Sequence, residues 1–325
     1  MQARAYWTTA AGRGELRQER LAEPGPHDAL VRAVCSGISR GTETLVHRGG
    51  VPADVRALMR APFQEGELPG PVKYGYLSVG VVEAGPPELI GRRVFCLHPH
   101  QDRYVVPASA LVPIPDDVPD ERALLAGAVE TAINALWDAG PRYQDRVAVI
   151  GAGVIGGALA ALARRFPLQR LQLIDIDPAQ AEVAAALGVP FASPQAAAGE
   201  CDLVLHCSAS ADGLALALNL LGDEGTCWEL SWYGDQPPVV PLGGAFHARR
   251  LAIRSSQVGV VSAERRARRT TTQRMTAALE ALTDPAFDAL LGPRHDFDAL
   301  PDVLADLAAG RQPPGCHVIC YPSRP

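Results

Sequence analysis

A glycine-rich turn between an apolar strand and a helix is the feature that most constrains this chain. Residues Gly151 to Gly156 read GAGVIG, the pattern G-x-G-x-x-G, and the β-branched run 147–150 precedes them. In such a turn the first glycine allows a tight bend, the second lets a phosphate approach the backbone, and the third lets strand and helix pack closely. The N–H groups that begin the next helix attract phosphate. The segment therefore predicts a binding site for the pyrophosphate of a dinucleotide.

A carboxylate follows the next apolar strand. The run Leu171 to Ile174 leads directly into Asp175. A carboxylate about 20 residues after the first glycine typically binds the ribose hydroxyls of the adenosine half. Its charge repels the 2′-phosphate of NADP(H), and residues 176–180 contain no arginine that could bind that phosphate. We therefore expect NAD(H) as the cofactor.

The chain changes in character near residue 120. Before that point, short apolar runs separated by Gly, Pro and Asp clusters predict a small, irregular β-barrel. After it, apolar strands alternate with helices, which predicts a parallel, doubly wound sheet and an α/β fold class. A length of 325 residues indicates two domains. Since the tail is too short to fold alone, we expect it to return to the barrel, so the predicted domains are 1–121 with 260–325, and 122–259.

Composition excludes several classes of partner. A formal net charge of −6 gives no reason to expect nucleic acid or an anionic membrane surface. The uncharged run 147–163 is shorter than the ~20 residues of a membrane span, so we expect a buried strand, turn and helix there. The 7 cysteines form no C-x-x-C pair, and residues 1–20 lack the apolar core of a secretory signal. We therefore expect a cytoplasmic protein.

Two motifs of the first domain accompany the glycine-rich turn. They are CSGISRGTE at 35–43 and GYLSVGVV at 75–82. With 147–156, 171–175 and the tail 297–321, they resemble the medium-chain dehydrogenase/reductase superfamily, the alcohol-dehydrogenase-like enzymes. The resemblance implies a GroES-like β-barrel domain, split in the sequence, around a Rossmann domain. It also implies hydride transfer between nicotinamide and a small-molecule alcohol or ketone, and we expect a homodimer.

The positions that hold zinc in many members of that superfamily carry other residues here. In the resemblance, the place of the first cysteine falls to Ser39 or Arg40. The histidine's place is Tyr76, the adjacent glutamate's place is Leu77, and the third ligand falls near Gly127. Zinc takes Cys, His or carboxylate ligands, three of them from the protein at a catalytic site. The four-cysteine structural lobe of the family is also missing, so a zinc-independent enzyme is expected.

Without zinc, a side chain must supply the proton that the substrate oxygen takes up. The resemblance points Tyr76 at the substrate and aligns Thr42 with a threonine that relays protons. Glu43 aligns with the acidic neighbour of that threonine. The full set of predicted catalytic residues adds two histidines that alternate on an extended segment and a glutamate at the start of the helix that joins the domains: Tyr76, Thr42, His98, His100, Glu130 and Ser39.

The cofactor contacts that the motifs and the resemblance imply lie in the turn, at the end of the second strand and after the later strands. They are Gly151, Gly153, Val154, Ile155, Gly156, Asp175, Ile176, Ser208, Ser231, Trp232, Ser255, Ser256 and Gln257.

The motif SGISRGTE looks most like the hydroxyethyl-bacteriochlorophyllide dehydrogenase branch of the superfamily. Enzymes of that branch interconvert a 1-hydroxyethyl group and an acetyl group on a ring, so the expected reaction joins a secondary alcohol and a ketone. One alternative is an enoyl or quinone reductase of the same fold. Since those enzymes usually use NADP(H), Asp175 argues against it. The other alternative is a non-catalytic, NAD-binding regulator.

Overall fold

The computed structural model describes residues 1–322 and divides into two units. The first unit contains residues 1–127 and 291–322, and the second contains residues 128–290. In chain order the strands are β1 (Gln2–Ala10), β2 (Arg13–Arg20), β3 (Asp28–Ile38), β4 (Glu65–Gly66), β5 (Val72–Lys73), β6 (Ser78–Ala84), β7 (Arg93–Cys96), β8 (Arg103–Pro107), β9 (Val112–Pro113), β10 (Arg146–Ile150), β11 (Arg170–Ile174), β12 (Phe191–Ala192), β13 (Cys201–His206), β14 (Leu221–Glu229), β15 (Ala252–Ser255), β16 (Leu291–Asp296) and β17 (Cys316–Cys320). The helices are α1 (Arg40–His47), α2 (Asp120–Ala123), α3 (Ala126–Ala139), α4 (Val154–Ala163), α5 (Gln180–Ala186), α6 (Ala211–Leu220), α7 (Ala245–Ala248), α8 (Thr271–Ala281) and α9 (Leu300–Ala308).

The first unit is built from two sheets. One has the order β2-β1-β5-β4, and the other has the order β16-β17-β3-β6-β7-β9 with β8 paired to β3. Strand β3 is the centre of the larger sheet, because β17, β6 and β8 all pair with it in antiparallel fashion. The predicted β-rich first domain and its completion by the tail are therefore present.

The core of the first unit joins segments that are far apart in sequence. Val31 of β3 and Tyr104 of β8 lie in one buried cluster with Phe297 and the apolar side of α9. Leu300, Val303, Leu304 and Leu307 recur at helical spacing on α9, and all four are buried. Burial of this apolar stripe stabilises the packing of the tail against the barrel.

The second unit is built on a six-stranded parallel sheet with the order β12-β11-β10-β13-β14-β15. Its central strands are buried, as in sheets covered by helices on both faces, and this is why they read as continuous apolar runs. Strand β10 pairs with β11 on one side and β13 on the other, so their carboxyl ends lie side by side. The predicted α/β class, with a β-rich first unit and a doubly wound parallel sheet in the second, is confirmed.

The border between the units differs from the predicted one. Residues 260–290, assigned from sequence to the barrel, belong to the second unit. Arg274 of α8 is buried and forms an ion pair with Glu130 of α3, and a Cβ on Gly157 of α4 would meet Leu290. These contacts hold residues 260–290 in the second unit. No pattern in the sequence indicates them, because the residues just before α8 form an exposed basic run.

None of the helices among residues 1–322 is long and apolar enough to cross a membrane. The uncharged run 147–163 instead forms most of β10, the glycine-rich turn and α4. The prediction of a buried strand, turn and helix at this run is therefore confirmed.

Candidate functional site

The glycine-rich turn connects β10 to α4. Gly151 has a φ of +97°, and a Cβ at this position would lie 2.9 Å from the backbone nitrogen of Ser208. A Cβ on Gly156 would overlap the carbonyl oxygen of Gly151, whereas one on Gly153 would meet no atom within 4 Å. Gly153 is also the N-cap of α4 and has no side chain to cap its N–H groups. Two glycines are thus required by packing, and the third leaves the backbone open to a ligand.

Asp175 lies at the end of β11 and is joined to this turn. Its Oδ2 accepts a hydrogen bond of 2.7 Å from the backbone nitrogen of Ala152, and its Oδ1 accepts one of 2.9 Å from Asp177. A carboxylate has about four lone-pair positions, so two bonds leave capacity for ribose hydroxyls. The adjacent Ile176 is 87% exposed, so its side chain does not bury the carboxylate.

The remaining cofactor candidates follow β13, β14 and β15 at the same edge of the sheet. Ser231 Oγ accepts a hydrogen bond of 3.0 Å from the backbone of Ala209, which links the loops after β13 and β14. Ser256 Oγ donates to Asp138 of α3 over 2.6 Å. Trp232 is partly buried, whereas Ser255 and Gln257 are exposed. The structure therefore brings the predicted residues to one edge of the sheet, although Ser256 already has a protein partner.

Two ionisable residues at this edge were not singled out from the sequence. His206 ends β13, Glu229 ends β14, and the strand register pairs them directly. Glu229 Oε2 lies 2.7 Å from His206 Nδ1, and Ser208 Oγ lies 2.6 Å from His206 Nε2. A polar residue that ends an otherwise apolar strand is a signal that could have revealed both.

In the first unit, three of the predicted catalytic hydroxyls lie together. The Tyr76 hydroxyl donates a hydrogen bond of 2.6 Å to Ser39 Oγ. Burial raises the pKa of Tyr76 to about 12, and nearby Glu43 adds to this, while hydrogen bonds with Ser39 and Thr42 lower it. Ser39 is the N-cap of α1, but its hydroxyl does not cap the helix and so can bond to Tyr76. Tyr76 therefore carries its proton at neutral pH.

Glu43 connects this hydroxyl group to a buried histidine. Its Oε1 accepts a hydrogen bond of 2.8 Å from the backbone nitrogen of Ser39, and its Oε2 lies 2.8 Å from His100 Nε2. The other ring nitrogen of His100 lies 2.7 Å from Ser36 Oγ, which in turn lies 2.9 Å from the Tyr321 hydroxyl. With both ring nitrogens engaged and 1% of the residue exposed, His100 orients Glu43 and Ser36.

His98 does not fit the predicted role in the proton path. Its ring stacks on Tyr104 with 3.8 Å between the centroids, and it is buried. Burial lowers the pKa of His98 to about 3, and its Nδ1 lies 3.0 Å from the carbonyl oxygen of Pro99. A ring that stays neutral at physiological pH does not exchange protons with solvent, so we assign His98 to the barrel core.

Glu130 also differs from its prediction. It lies inside α3, not at its first turn, and its Oε1 accepts a 3.0 Å hydrogen bond from Arg274 Nε. Arg274 further donates to Asn134 and to the backbone of Val258 and Val260. Burial raises the pKa of Glu130, although Arg274 opposes the shift. These contacts give Glu130 a structural role in holding the segment that leads into α8.

The positions aligned with zinc ligands are packed with other groups. A Cβ on Gly127 would lie 2.5 Å from Leu77 Cδ2, and a Cβ on Gly37 would lie 3.2 Å from Leu77 Cδ1. Leu77 therefore fills the space that a ligand side chain at residue 127 would need. Ser39 and Tyr76 bond to each other and are not typical zinc ligands. Within residues 1–322, no group of three or more His, Cys, Asp or Glu side chains could hold a metal ion.

No protein-family model matches the chain, but curated proteins do. An L-threonine 3-dehydrogenase of Rhizobium rhizogenes is 36% identical over 84 residues, which cover 26% of this chain and 24% of that protein. A 2-desacetyl-2-hydroxyethyl bacteriochlorophyllide A dehydrogenase of Cereibacter sphaeroides is 35% identical over 170 residues, which cover 45% of this chain and 48% of that protein. The chain thus spans about a quarter of the first relative and about half of the second.

Solved structures match over nearly the whole chain. A protein of Escherichia coli CFT073 described as a short chain alcohol dehydrogenase, in complex with NADH, has a TM-score of 0.76 at 16% identity, and the match covers 98% of this chain and 99% of that one. A Sinorhizobium meliloti dehydrogenase described as zinc-binding, in complex with NADP, has a TM-score of 0.77 at 18% identity with the same coverage. The chain therefore shares the fold of these dehydrogenases, as its resemblance to the medium-chain dehydrogenase/reductase superfamily implies.

Proposed function

We propose that this protein is an NAD(H)-dependent oxidoreductase that interconverts a secondary alcohol and a ketone without zinc. The observation that carries the proposal is the turn that stays open at Gly153 and is joined to the Asp175 carboxylate through Ala152. This arrangement offers N–H groups to a pyrophosphate and a carboxylate to ribose hydroxyls. The curated relatives and the solved structures described above are themselves named dehydrogenases, which supports the reaction class.

The preference for NAD(H) rests on charge. The related structures contain NADH in one case and NADP in the other, so the fold alone accommodates both. A carboxylate at the end of the second strand of a doubly wound parallel sheet repels a 2′-phosphate, and two backbone N–H groups hold the carboxylate of Asp175 in place. The exposed neighbours Ile176 and Asp177 bring no positive charge. Repulsion between the two anions favours the cofactor that lacks the phosphate.

When bound, the nicotinamide supplies or takes up the hydride. In the direction of ketone reduction, this chain must then provide a proton to the substrate oxygen. We assign that proton to the Tyr76 hydroxyl, because burial keeps it protonated and its hydrogen, which bonds to Ser39 Oγ, can turn to a substrate oxygen. Once the proton has left, the hydroxyls of Ser39 and Thr42 can donate to the tyrosine oxygen and stabilise its negative charge.

Zinc independence is supported by the chemistry of the aligned positions. The hydroxyls of Ser39 and Tyr76 and the glycine at residue 127 do not form a zinc ligand set. Leu77 occupies the space beside Gly127. For the substrate, the relative named for a hydroxyethyl bacteriochlorophyllide supports a 1-hydroxyethyl or acetyl group on a ring. The homodimer and the cytoplasmic location stay predictions.

The test begins with the cofactor and proceeds to the substrate. NADH and NADPH are titrated against the purified protein by fluorescence, and NADH is expected to bind more tightly. Ketones, acetyl-substituted rings, enones and quinones are then offered with NADH, and consumption of NADH is followed. Reduction of ketones supports the proposal. Reduction of enones or quinones alone would reassign the protein as an enoyl or quinone reductase, and NADH binding without turnover of any of them would favour a regulator.

A further inference from the structure

A row of hydrogen-bonded side chains lies at the carboxyl edge of the parallel sheet, on the side of β10 opposite Asp175. It runs from Glu229 through His206 to Ser208, with separations of 2.7 Å and 2.6 Å, and ends at Ser210, whose Oγ lies 3.0 Å from Ser208 Oγ. His206 is 0% exposed, whereas Ser208 is partly exposed and Ser210 is exposed. The hydroxyl end of the row therefore faces outward and the ionisable end lies inside.

Glu229 fixes which nitrogen of His206 carries hydrogen. Burial raises the pKa of Glu229, but bonds from His206 and Ser231 outweigh this and bring it below its ordinary value, so the side chain is a carboxylate. It accepts hydrogen bonds from the backbone of Ser231 over 2.7 Å and from the Tyr233 hydroxyl over 3.0 Å. A carboxylate cannot donate, so His206 Nδ1 must donate to it. In the neutral ring, Nε2 is then an acceptor.

This arrangement determines whether the Ser208 hydroxyl donates or accepts a hydrogen bond. Its hydroxyl has one hydrogen, and the 2.6 Å contact to the acceptor His206 Nε2 uses it. Ser210 Oγ accepts from the backbone nitrogen of Gly213 over 3.0 Å, so the hydroxyl hydrogen of Ser210 is available to donate to Ser208. Ser208 Oγ has two lone pairs, of which one remains. Toward a ligand it is therefore an acceptor, which suits a hydroxyl or an amide N–H and disfavours a phosphate oxygen.

The position of Ser208 identifies the part of the ligand that it meets. Gly151 lies beside it, since a Cβ on Gly151 would be 2.9 Å from the Ser208 nitrogen. In a sheet of this order, the pyrophosphate lies at the turn after β10 and the adenosine half lies over β11, where Asp175 is. The other half of a dinucleotide then passes over the ends of β13 and β14.

We propose that Ser208 accepts a hydrogen bond from a hydroxyl or amide N–H of the nicotinamide nucleoside half of the cofactor, and that His206 and Glu229 are positioning residues that fix this polarity. The inference rests on the proposed function, because it takes a nicotinamide dinucleotide as the ligand. It adds to that function a contact that selects a hydrogen-bond donor on the ligand. Glu229 does not touch the ligand in this proposal; it determines which nitrogen of His206 carries hydrogen, and this makes Ser208 an acceptor.

The experiment compares two variants with two matched controls. Ser208→Ala removes the acceptor, and Glu229→Gln supplies an amide that can donate to His206 Nδ1 and so reverse the tautomer. Ser193→Ala, after the edge strand β12, and Glu280→Gln, an exposed residue of α8, control for the same chemical changes. Binding of NADH and of ADP is measured by fluorescence and calorimetry, thermal unfolding checks the fold, and ¹⁵N NMR of labelled histidine reports the tautomer.

We expect Ser208→Ala and Glu229→Gln to weaken NADH binding by about 2- to 12-fold, the range for one lost hydrogen bond, and to leave ADP binding unchanged. The NMR signal of His206 should move from the Nδ1–H to the Nε2–H form in Glu229→Gln only. Unchanged NADH binding in both variants would overturn the inference, as would equal loss of ADP binding. If the unmodified protein binds ADP but no nicotinamide dinucleotide, the proposed function fails and the inference fails with it. NADH binding that is unaffected by Ser208→Ala defeats the inference alone.

Discussion

Replacing Arg274 with methionine tests whether the buried ion pair between Arg274 and Glu130 stabilises the second unit. The guanidinium is 1% exposed and donates to Glu130, to Asn134 and to two backbone carbonyls. Asn134 Oδ1 keeps a second donor, the backbone nitrogen of Ser262. Most of the lost unfolding free energy therefore comes from Glu130, which is 5% exposed and would be left as a buried, unpaired carboxylate. Breaking such a pair by removing one partner costs about 3–5 kcal/mol.

Protonation limits this cost and makes it depend on pH. In the variant, Glu130 can become neutral by taking up a proton. From an ordinary pKa of 4.5, protonation at pH 7 costs about 3.4 kcal/mol, at 1.36 kcal/mol per pH unit. At pH 5 the same step costs only about 0.7 kcal/mol. The pKa of Glu130 in the folded variant then lies above its unfolded value, so stability is retained at low pH and lost as pH rises. We expect Arg274→Met to lose about 3 kcal/mol at pH 7 and clearly less at pH 5.

The assay is urea unfolding at both pH values, followed by tryptophan fluorescence. Three of the 4 tryptophans, Trp137, Trp228 and Trp232, lie in the second unit and report on it. Arg266→Met, an exposed arginine of the same unit, is the control. A second substitution, Glu130→Gln, should restore part of the stability at pH 7. The reasoning is refuted if Arg274→Met costs the same at pH 5 and pH 7, since the unpaired carboxylate would then not be the cause.

Three further predictions concern the proposed activity. Asp175→Ser should narrow or invert a preference for NADH over NADPH, because it removes the repelling carboxylate; equal dissociation constants for both cofactors in the unmodified protein would contradict this. Elemental analysis should find no stoichiometric zinc and chelators should leave turnover intact, whereas about one tightly held zinc per chain would end the zinc-free proposal. Tyr76→Phe should lower turnover by roughly 10²–10⁴-fold while leaving NADH binding nearly unchanged. Full turnover in Tyr76→Phe would show that the proton comes from elsewhere.

The parallel sheet could be predicted from sequence because its central strands are buried on both faces. Strands such as β10 appear as uninterrupted apolar runs, and the glycines that follow mark the turn. The hairpin of β1 and β2 could not be predicted in the same way. Strand β2 reads RGELRQER, and none of its residues is buried, so it lacks the alternating apolar positions of a half-buried strand. Pairing with β1, not its own pattern, makes it a strand.

In the site, too, features marked by neighbouring residues in the sequence could be predicted, whereas contacts between distant segments could not. Asp175 and Ser208 could be predicted because they lie one and two residues after apolar strands, and strand ends of a parallel sheet share one edge. The His206–Glu229 contact depends on the register of β13 against β14, which shifts between Cys201 and Leu203. No pattern in the sequence reports that shift. Contacts set by register or by distant segments must be read from the structure.

The residues at the aligned zinc positions depend on one another through packing. Leu77 stands at the place of the family's glutamate, and its side chain reaches the space beside both Gly37 and Gly127. A side chain at residue 127 would therefore meet the Cδ2 atom of Leu77, so a ligand there requires Leu77 to turn aside or to be replaced by a smaller residue. Tyr76 in turn needs the Ser39 hydroxyl as its acceptor. A metal site at these positions would therefore require ligands in place of Ser39, Tyr76 and Gly127, and space for them beside Leu77.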